Sequence, residues 1–255
     1  MMHLRTIAHA TDFSDQDPGF LHAMVLASQT GARLVSVHAQ DGRKPARALD
    51  PNARLRAFGR PEIAYEVKVH TCCDDPADTV LDALVDLAPD FLVESTHARK
   101  GLRRLLAGSV AEDVARNVTV PTLICPIGVP GLVREPSGAV SLTRIMVPCA
   151  IGRDSQRAID AAVAFSRALG ADAELLLVHV GAGRPEPRLP PEVRSSHHNV
   201  DGEVDDALLR FAREQEPDLI VMATRGHDNL GDVALGSHTE RLLHQAYCPM
   251  LVVPV

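Results

Sequence analysis

Thr96-His97-Ala98 leads after nine residues to Gly108-Ser109, and Thr224-Arg225-Gly226 leads after nine to Gly236-Ser237. Each copy follows an apolar run, Asp90-Phe91-Leu92-Val93 or Asp218-Leu219-Ile220-Val221-Met222. Each ends in another, Val120-Pro121-Thr122-Leu123-Ile124-Cys125-Pro126 or Cys248-Pro249-Met250-Leu251-Val252-Val253-Pro254. A small-residue loop after a strand, then Gly-Ser opening a helix, is a loop that can hold phosphate on backbone N–H groups. The chain is therefore a duplicated unit, and the question is whether either copy holds a nucleotide.

Working outward, Leu4 matches Leu142 at an offset of 138, Gly31 matches Gly170 at 139 and Val37-His38 matches Val178-His179 at 141. Thr96, Gly108 and Pro121 match Thr224, Gly236 and Pro249 at 128, so the second copy is short by about one helix between its second strand and its third helix. What remains there, Gly181 to Gly202, is rich in Pro, Arg and Ser and reads as an irregular loop. In the first copy strands are expected near Arg5–Ala10, Leu34–Ala39, Ile63–His70, Phe91–Ser95 and Thr122–Cys125, with helices near Phe20–Thr30, Pro76–Leu87 and Ser109–Asn117. The second copy reads Ile145–Pro148, Gln156–Leu169, Leu175–Val180, Val204–Glu214, Leu219–Ala223, Ser237–Gln245 and Met250–Val253. Its third strand is in question, because Arg194–Val200 is polar. Short apolar strands alternating with helices predict an α/β fold of two tandem, doubly wound, parallel five-stranded sheets, with ligands beyond the carboxyl ends of the strands. The expected division is residues 1–128, a linker at 129–141 carrying Gly and Pro, and residues 142–255. Each copy ends in an apolar strand that needs cover, which pairing of Leu123–Cys125 against Met250–Val253 would supply.

Net charge is −7 with no long basic run, and there are no Trp and two Tyr, a composition that argues against nucleic-acid binding. No apolar stretch approaches the roughly 20 residues that span a bilayer, and Met1-Met2-His3-Leu4-Arg5 lacks the apolar core of a signal peptide. Five unevenly spaced Cys do not form a disulfide framework. The expectation is a soluble cytoplasmic protein.

Together these features resemble the universal stress protein family in its tandem form, over nearly the whole chain. The resemblance implies an adenine nucleotide alpha-hydrolase-like fold. It also implies a nucleotide loop of Gly, two residues, Gly, nine residues, Gly and then Ser or Thr. Nucleotide-binding members of that family add an Asp just after the first strand, near the adenosine. Carried onto this chain, the candidate nucleotide-binding residues are Asp12, Ala98, Gly108 and Ser109 in the first copy, and Ala223, Gly226, Gly236 and Ser237 in the second. In the first copy Ser95 and Ala98 stand where the first two glycines belong, while Asp12, Gly108 and Ser109 are kept. In the second, Ala223 replaces the first glycine and Ala150 stands in place of the Asp. Each copy thus keeps half of the set. A Cβ where a glycine has φ > 0 costs about 1 kcal/mol or more, and a missing charge-assisted bond costs about 1–3 kcal/mol.

Some of these residues have plainer readings. Ser109-Val110-Ala111-Glu112 and Ser237-His238-Thr239-Glu240 both fit the Ser-x-x-Glu capping box. Asp12, with Ser14, Asp15 and Asp17 nearby, serves equally as a helix N-cap. His38, His70, Cys72 and His97 fall near strand ends and suit Zn²⁺ by chemistry, but they lack metal-ligand spacing, so no metal is expected. Arg99, Lys100, Arg103 and Arg104 fit a solvated face better than a phosphate clamp. Asp74-Asp75 before Pro76 suit a helix start. No motif of nucleophilic, metal-dependent or phosphate-loop catalysis is present.

The expected function is that of a stress-response regulator or sensor rather than an enzyme, binding ATP or AMP weakly or in one copy. It would pair its halves internally and form a homodimer. The rival is a nucleotide-free scaffold, or a binder of another small ligand, that pairs through its final strands.

Overall fold

The computed structural model describes residues 4–14, 17–40, 50–72, 75–96, 110–151, 154–224, 237–245 and 247–254. The first repeat runs β1 (Thr6–Ala10), α1 (Pro18–Thr30), β2 (Arg33–Gln40), α2 (Pro51–Ala57), β3 (Tyr65–Thr71), α3 (Pro76–Leu87), β4 (Phe91–Thr96), α4 (Val110–Asn117) and β5 (Thr122–Pro126). A short hairpin, β6 (Val133–Arg134) and β7 (Ala139–Val140), follows. The second repeat is β8 (Arg144–Pro148), α5 (Asp154–Ala168), β9 (Glu174–Val180), β10 (Ser195–Val200), α6 (Val204–Gln215), β11 (Leu219–Thr224), α7 (Ser237–Gln245) and β12 (Met250–Pro254). The first repeat has α2 between its second and third strands; the second has no helix between β9 and β10, as the shortened spacing predicts.

The strands form one ten-stranded sheet in the order β10-β9-β8-β11-β12-β5-β4-β1-β2-β3. Each half is a parallel five-stranded sheet of the same order. They meet at the antiparallel pair β12–β5, where Met250 faces Ile124, Leu251 faces Leu123 and Val252 faces Thr122. Both strands are apolar and buried, so pairing satisfies two backbone edges that burial would otherwise leave without hydrogen bonds.

Equivalent acids fix equivalent registers. Asp90 Oδ2 accepts the Arg5 and Thr6 N–H groups (2.8 and 2.9 Å), and Asp218 Oδ2 accepts those of Thr143 and Arg144 (2.7 and 3.0 Å). Both halves share a single core on the face carrying α1 and α5. Ile7, Phe20, Leu34 and Phe91 join Ile145, Phe165, Leu175 and Val221 there. Phe91 of β4 stacks on Phe165 of α5 with centroids 5.8 Å apart. The opposite face carries two smaller cores, one within the first half and one in the second half that also takes in Ala115 and Ile124 across the junction. Arg116 of α4 reaches Glu240 of α7 across the junction at 2.8 Å.

Three expectations change. The polar Arg194–Val200 stretch does contain a strand: β10 pairs in parallel with β9 along its whole length. Its polarity reflects a sheet-end position, where alternate residues face water. The segment read as a linker has structure of its own. It forms the β6–β7 hairpin, and Leu132, Val133 and Leu142 enter the shared core. The cap of α1 is Asp17, not Asp12: Asp17 Oδ1 accepts the Phe20 N–H at 3.1 Å, and Pro18 follows at the first helical position. Asp75 caps α3 in the same manner through Ala77 N–H, the role expected for it; Asp74 lies outside the described residues.

Candidate functional site

At the carboxyl end of β1 the chain passes over the sheet edge through Thr11-Asp12-Phe13. Asp12 is exposed, and its Oδ1 accepts the Ser14 N–H at 2.9 Å, a local turn bond. Phe13 has φ of 54°, a left-handed conformation costly for a bulky L residue. Its ring sits edge-on to His38, 5.0 Å away, at the end of the neighbouring strand. His38 Nδ1 binds Thr11 O at 2.8 Å, and the equivalent His179 Nδ1 binds Cys149 O, also at 2.8 Å. The second-strand histidines thus tie the end of β2 to that of β1, and of β9 to that of β8.

Below Asp12 lies a buried polar cluster that sequence reasoning missed. The Asp17 side chain, 4% exposed, accepts the Ser95 hydroxyl on Oδ1 (2.6 Å) and the Thr11 hydroxyl on Oδ2 (2.7 Å). His9 Nε2 stands 3.1 Å from Oδ2, at ion-pair distance but off the hydrogen-bond line. His9 Nδ1 meets Ser36 Oγ at 3.2 Å, and the Tyr65 hydroxyl donates to Ser36 Oγ at 3.1 Å. Tyr65, Ser36, His9 and Asp17 thus adjoin in one continuous polar row. Burial alone would raise the Asp17 pKa, but the charge and proximity of His9, with the hydroxyls of Ser95 and Thr11, outweigh it and hold the carboxyl well below its usual range. Burial also raises the Tyr65 phenol. Ser36 and His9 are fully buried, so the cluster organises the floor of the crevice rather than reacting in it.

Ser95 explains one departure from the family loop. It stands at the first glycine position, and its Oγ both donates to Asp17 and accepts the Gly19 N–H at 2.8 Å. The hydroxyl therefore joins the end of β4 to the start of α1. Gly19 must be small here: a Cβ would come 2.9 Å from Ser95 Oγ and 3.1 Å from the Glu94 backbone. Glu94 points to the opposite face. It is 1% exposed with neither carboxylate oxygen partnered among the described residues, and burial raises its pKa well above the carboxylate range.

The second repeat resolves the same positions with apolar groups. Val147 and Leu177 face each other in register where His9 and Ser36 do, and Ser155 sits in the first turn of α5. Ser155 Oγ bonds both the N–H and the C=O of Ala150, each at 2.8 Å. Ala150, in the Asp12 position, offers no side-chain acceptor. Gly183 packs close to Ile151 beside it. Met222 stands where the first repeat has Glu94.

Of the predicted loop residues, Ala223 is the last residue but one of β11, in register with Val253 and half-buried, and Ser237 begins α7. Ala98, Gly108, Ser109, Gly226 and Gly236 lie outside the described residues, as do Arg99, Lys100, Arg103, Arg104 and the Ser237 side chain, so the capping boxes do too. Of the zinc candidates, His97 is outside them. His38, His70 and Cys72 are inside, and among the described residues no three His, Cys, Asp or Glu side chains gather to hold a metal. Among the described residues no helix is long and apolar enough to cross a membrane.

Comparison with known proteins agrees with the repeat and the topology. Residues 3–126 and 185–254 match the family model described as "Universal stress protein family". A universal stress protein of Methanocaldococcus jannaschii is 41% identical over 54 residues, which cover 21% of this chain and 32% of that protein. One from Thermus aquaticus is 39% identical over 54 residues, 21% of this chain and 39% of its own length. These alignments thus span about a third of the relatives they match. The crystal structure of a universal stress protein from Archaeoglobus fulgidus superposes on 98% of this chain and 98% of its own, with a TM-score of 0.68 at 18% identity. With the family matched across most of both repeats and the fold shared end to end, this chain belongs to the universal stress protein family.

Proposed function

We propose that this protein is a stress-response regulator or sensor whose first repeat takes an adenine nucleotide, ATP or AMP, with the second repeat weakened or silent. The observation that carries this reading is Asp12. It is exposed at the carboxyl end of β1, where ligands sit in such sheets. Among the described residues its carboxylate makes only the turn bond to Ser14. It is neither the helix cap nor part of the buried cluster, so it can accept from a ribose hydroxyl or an adenine amine. Asp12 would hold the adenosine, and the loop through Ala98 to Gly108 and Ser109 would hold phosphate on backbone N–H groups. The second repeat has Ala150 in place of this carboxylate, and would rely on Ala223, Gly226, Gly236 and Ser237 alone. Bound nucleotide would act by favouring one arrangement of the two halves, in a cytoplasmic protein that need not catalyse a reaction.

A second reading is favoured by a different observation. The β12–β5 pair and the shared core make the duplication useful for folding alone. On that reading the protein is a nucleotide-free scaffold. Mass spectrometry of small molecules released from gently purified protein separates the two. Copurifying ATP or AMP supports the nucleotide reading. Protein that is empty and also gives no heat with ATP or AMP supports the scaffold.

A further inference from the structure

His22 of α1 is 3% exposed, and both its ring nitrogens are committed. Nδ1 lies 2.6 Å from Pro18 O, and a carbonyl only accepts, so Nδ1 carries the proton. Nε2 lies 2.7 Å from Leu132 N, and an amide only donates, so Nε2 is bare. The ring is therefore neutral, in one tautomer. It bridges the first turn of α1 and the segment joining the repeats, 110 residues apart in sequence. Gly131 lies against the ring so closely that a Cβ would overlap it. Beyond this contact the segment continues as the β6–β7 hairpin, held by Arg60, which donates to Gly138 O at 2.9 and 3.1 Å, and by the Arg54–Glu135 ion pair.

A proton added to this ring acts on one side only. Nδ1–H still donates to Pro18 O, so the ring stays on α1. Nε2 becomes N–H and faces the Leu132 N–H, donor against donor, in a site without water access. We propose that His22 is a proton-operated latch on the inter-repeat segment, closed onto Leu132 when neutral and released from it when protonated.

The surroundings bear this out. Burial is the main influence and disfavours the charged ring, the Pro18 bond opposes it, and Asp17 at the start of the same helix opposes it further. From the packed elements, His9 of β1 and Cys125 of β5 share this face of the sheet without a hydrogen bond to His22. Arg33 of β2 bonds Thr6, and Glu94 of β4 is on the far face. Arg54 and Arg56 of α2 are paired with Glu135 and Glu62. Arg134 of β6 and Arg157, Asp160 and Arg167 of α5 lie toward solvent. Among the described residues no carboxylate touches the ring to stabilise a charge on it.

Linkage sets the size of the effect. The released ring takes up protons with an ordinary affinity near 6.5, while the latched ring does so less readily. Opening is therefore favoured as pH falls below that value. Amide hydrogen exchange at Leu132, corrected for intrinsic chemistry and referenced to the amide of buried Val35 in β2, reads the opening directly. Between about pH 7.5 and about pH 5 the Leu132 opening constant is expected to rise about tenfold or more, with Val35 unaffected. In His22→Gln, whose amide oxygen can accept the Leu132 N–H but cannot titrate in this range, the ratio is expected to stay flat. The wild-type histidine ¹⁵N spectrum supplies a second test needing no variant. Neutral Nδ1–H at pH 7.5 supports the latch. An Nε2–H tautomer, or a pH-independent Leu132 ratio in the wild type, overturns it.

Discussion

Replacing Asp17 by Ala removes a carboxylate that four groups use at once. The Phe20 N–H loses its cap, the Ser95 and Thr11 hydroxyls lose their acceptor, and His9 is left facing an apolar void. A lost cap costs about 1 kcal/mol, and each buried polar group left without a partner costs about 1–3 kcal/mol. Some of these groups will find new partners, so the expected loss is about 3–5 kcal/mol by urea unfolding at neutral pH. The second repeat suggests how to recover it. There Val147 and Leu177 occupy the positions of His9 and Ser36, and Ser155 lies in the first turn of α5. The triple variant His9→Val, Ser36→Leu, Asp17→Ser keeps a capping side chain and removes the carboxylate, the imidazole and the Ser36 hydroxyl together, and buried charge networks are often replaceable by apolar packing at little cost. It should lie within about 2 kcal/mol of the wild type. Acid should act on the wild type through the same group. The folded Asp17 pKa is depressed, so its contribution is present above the unfolded value of 3.8 and is lost as pH falls through and below it. An Asp17→Ala variant less than about 1 kcal/mol weaker than the wild type would refute the idea that this carboxylate organises the crevice floor.

Phe165→Ala should cost about 3–5 kcal/mol and leave a single unfolding transition by circular dichroism, because Phe165 stacks on Phe91 inside a core shared by both halves; two separated transitions would mean the halves fold alone. Glu94→Met, the residue of the second repeat, should stabilise the protein at neutral pH. The folded Glu94 pKa is raised, so wild-type stability is lost as pH rises from about 4.5 toward that raised value, and the variant's advantage should vanish in acid. Cys149 and Cys248, buried and with thiols pushed up to about 12, should resist iodoacetamide at pH 8 in the folded protein, while half-buried Cys72 reacts, as peptide mapping would report.

The repeat makes the sheet legible in the sequence. Two copies of strand-loop-helix-strand predict two parallel sheets, and two terminal apolar strands predict the edge at which they join, which is where β5 and β12 meet. The features that were not legible depend on residues distant in sequence. Nothing local marks His22 as a bridge, since its partner Leu132 is far along the chain and its neighbours on α1 are apolar. Asp12, Asp15 and Asp17 are equivalent as sequence, and only the entry angle of α1 selects Asp17 as the cap. Ser95 looked like damage to a glycine loop until Asp17 and Gly19 were seen to use its hydroxyl. The β10 strand was obscured because its position at the sheet's end makes burial alternate along it.

The central claim is that the first repeat binds an adenine nucleotide through Asp12. Titration calorimetry with ATP and AMP on the wild type, Asp12→Ala and Ala98→Gly tests it most directly. The account predicts one site in the wild type. Loss of a charge-assisted bond should weaken it about 5- to 150-fold in Asp12→Ala, and restoring the glycine that the family loop has at this position should tighten it about tenfold in Ala98→Gly. No heat with any of the three folded proteins, or binding indifferent to both substitutions, would contradict it.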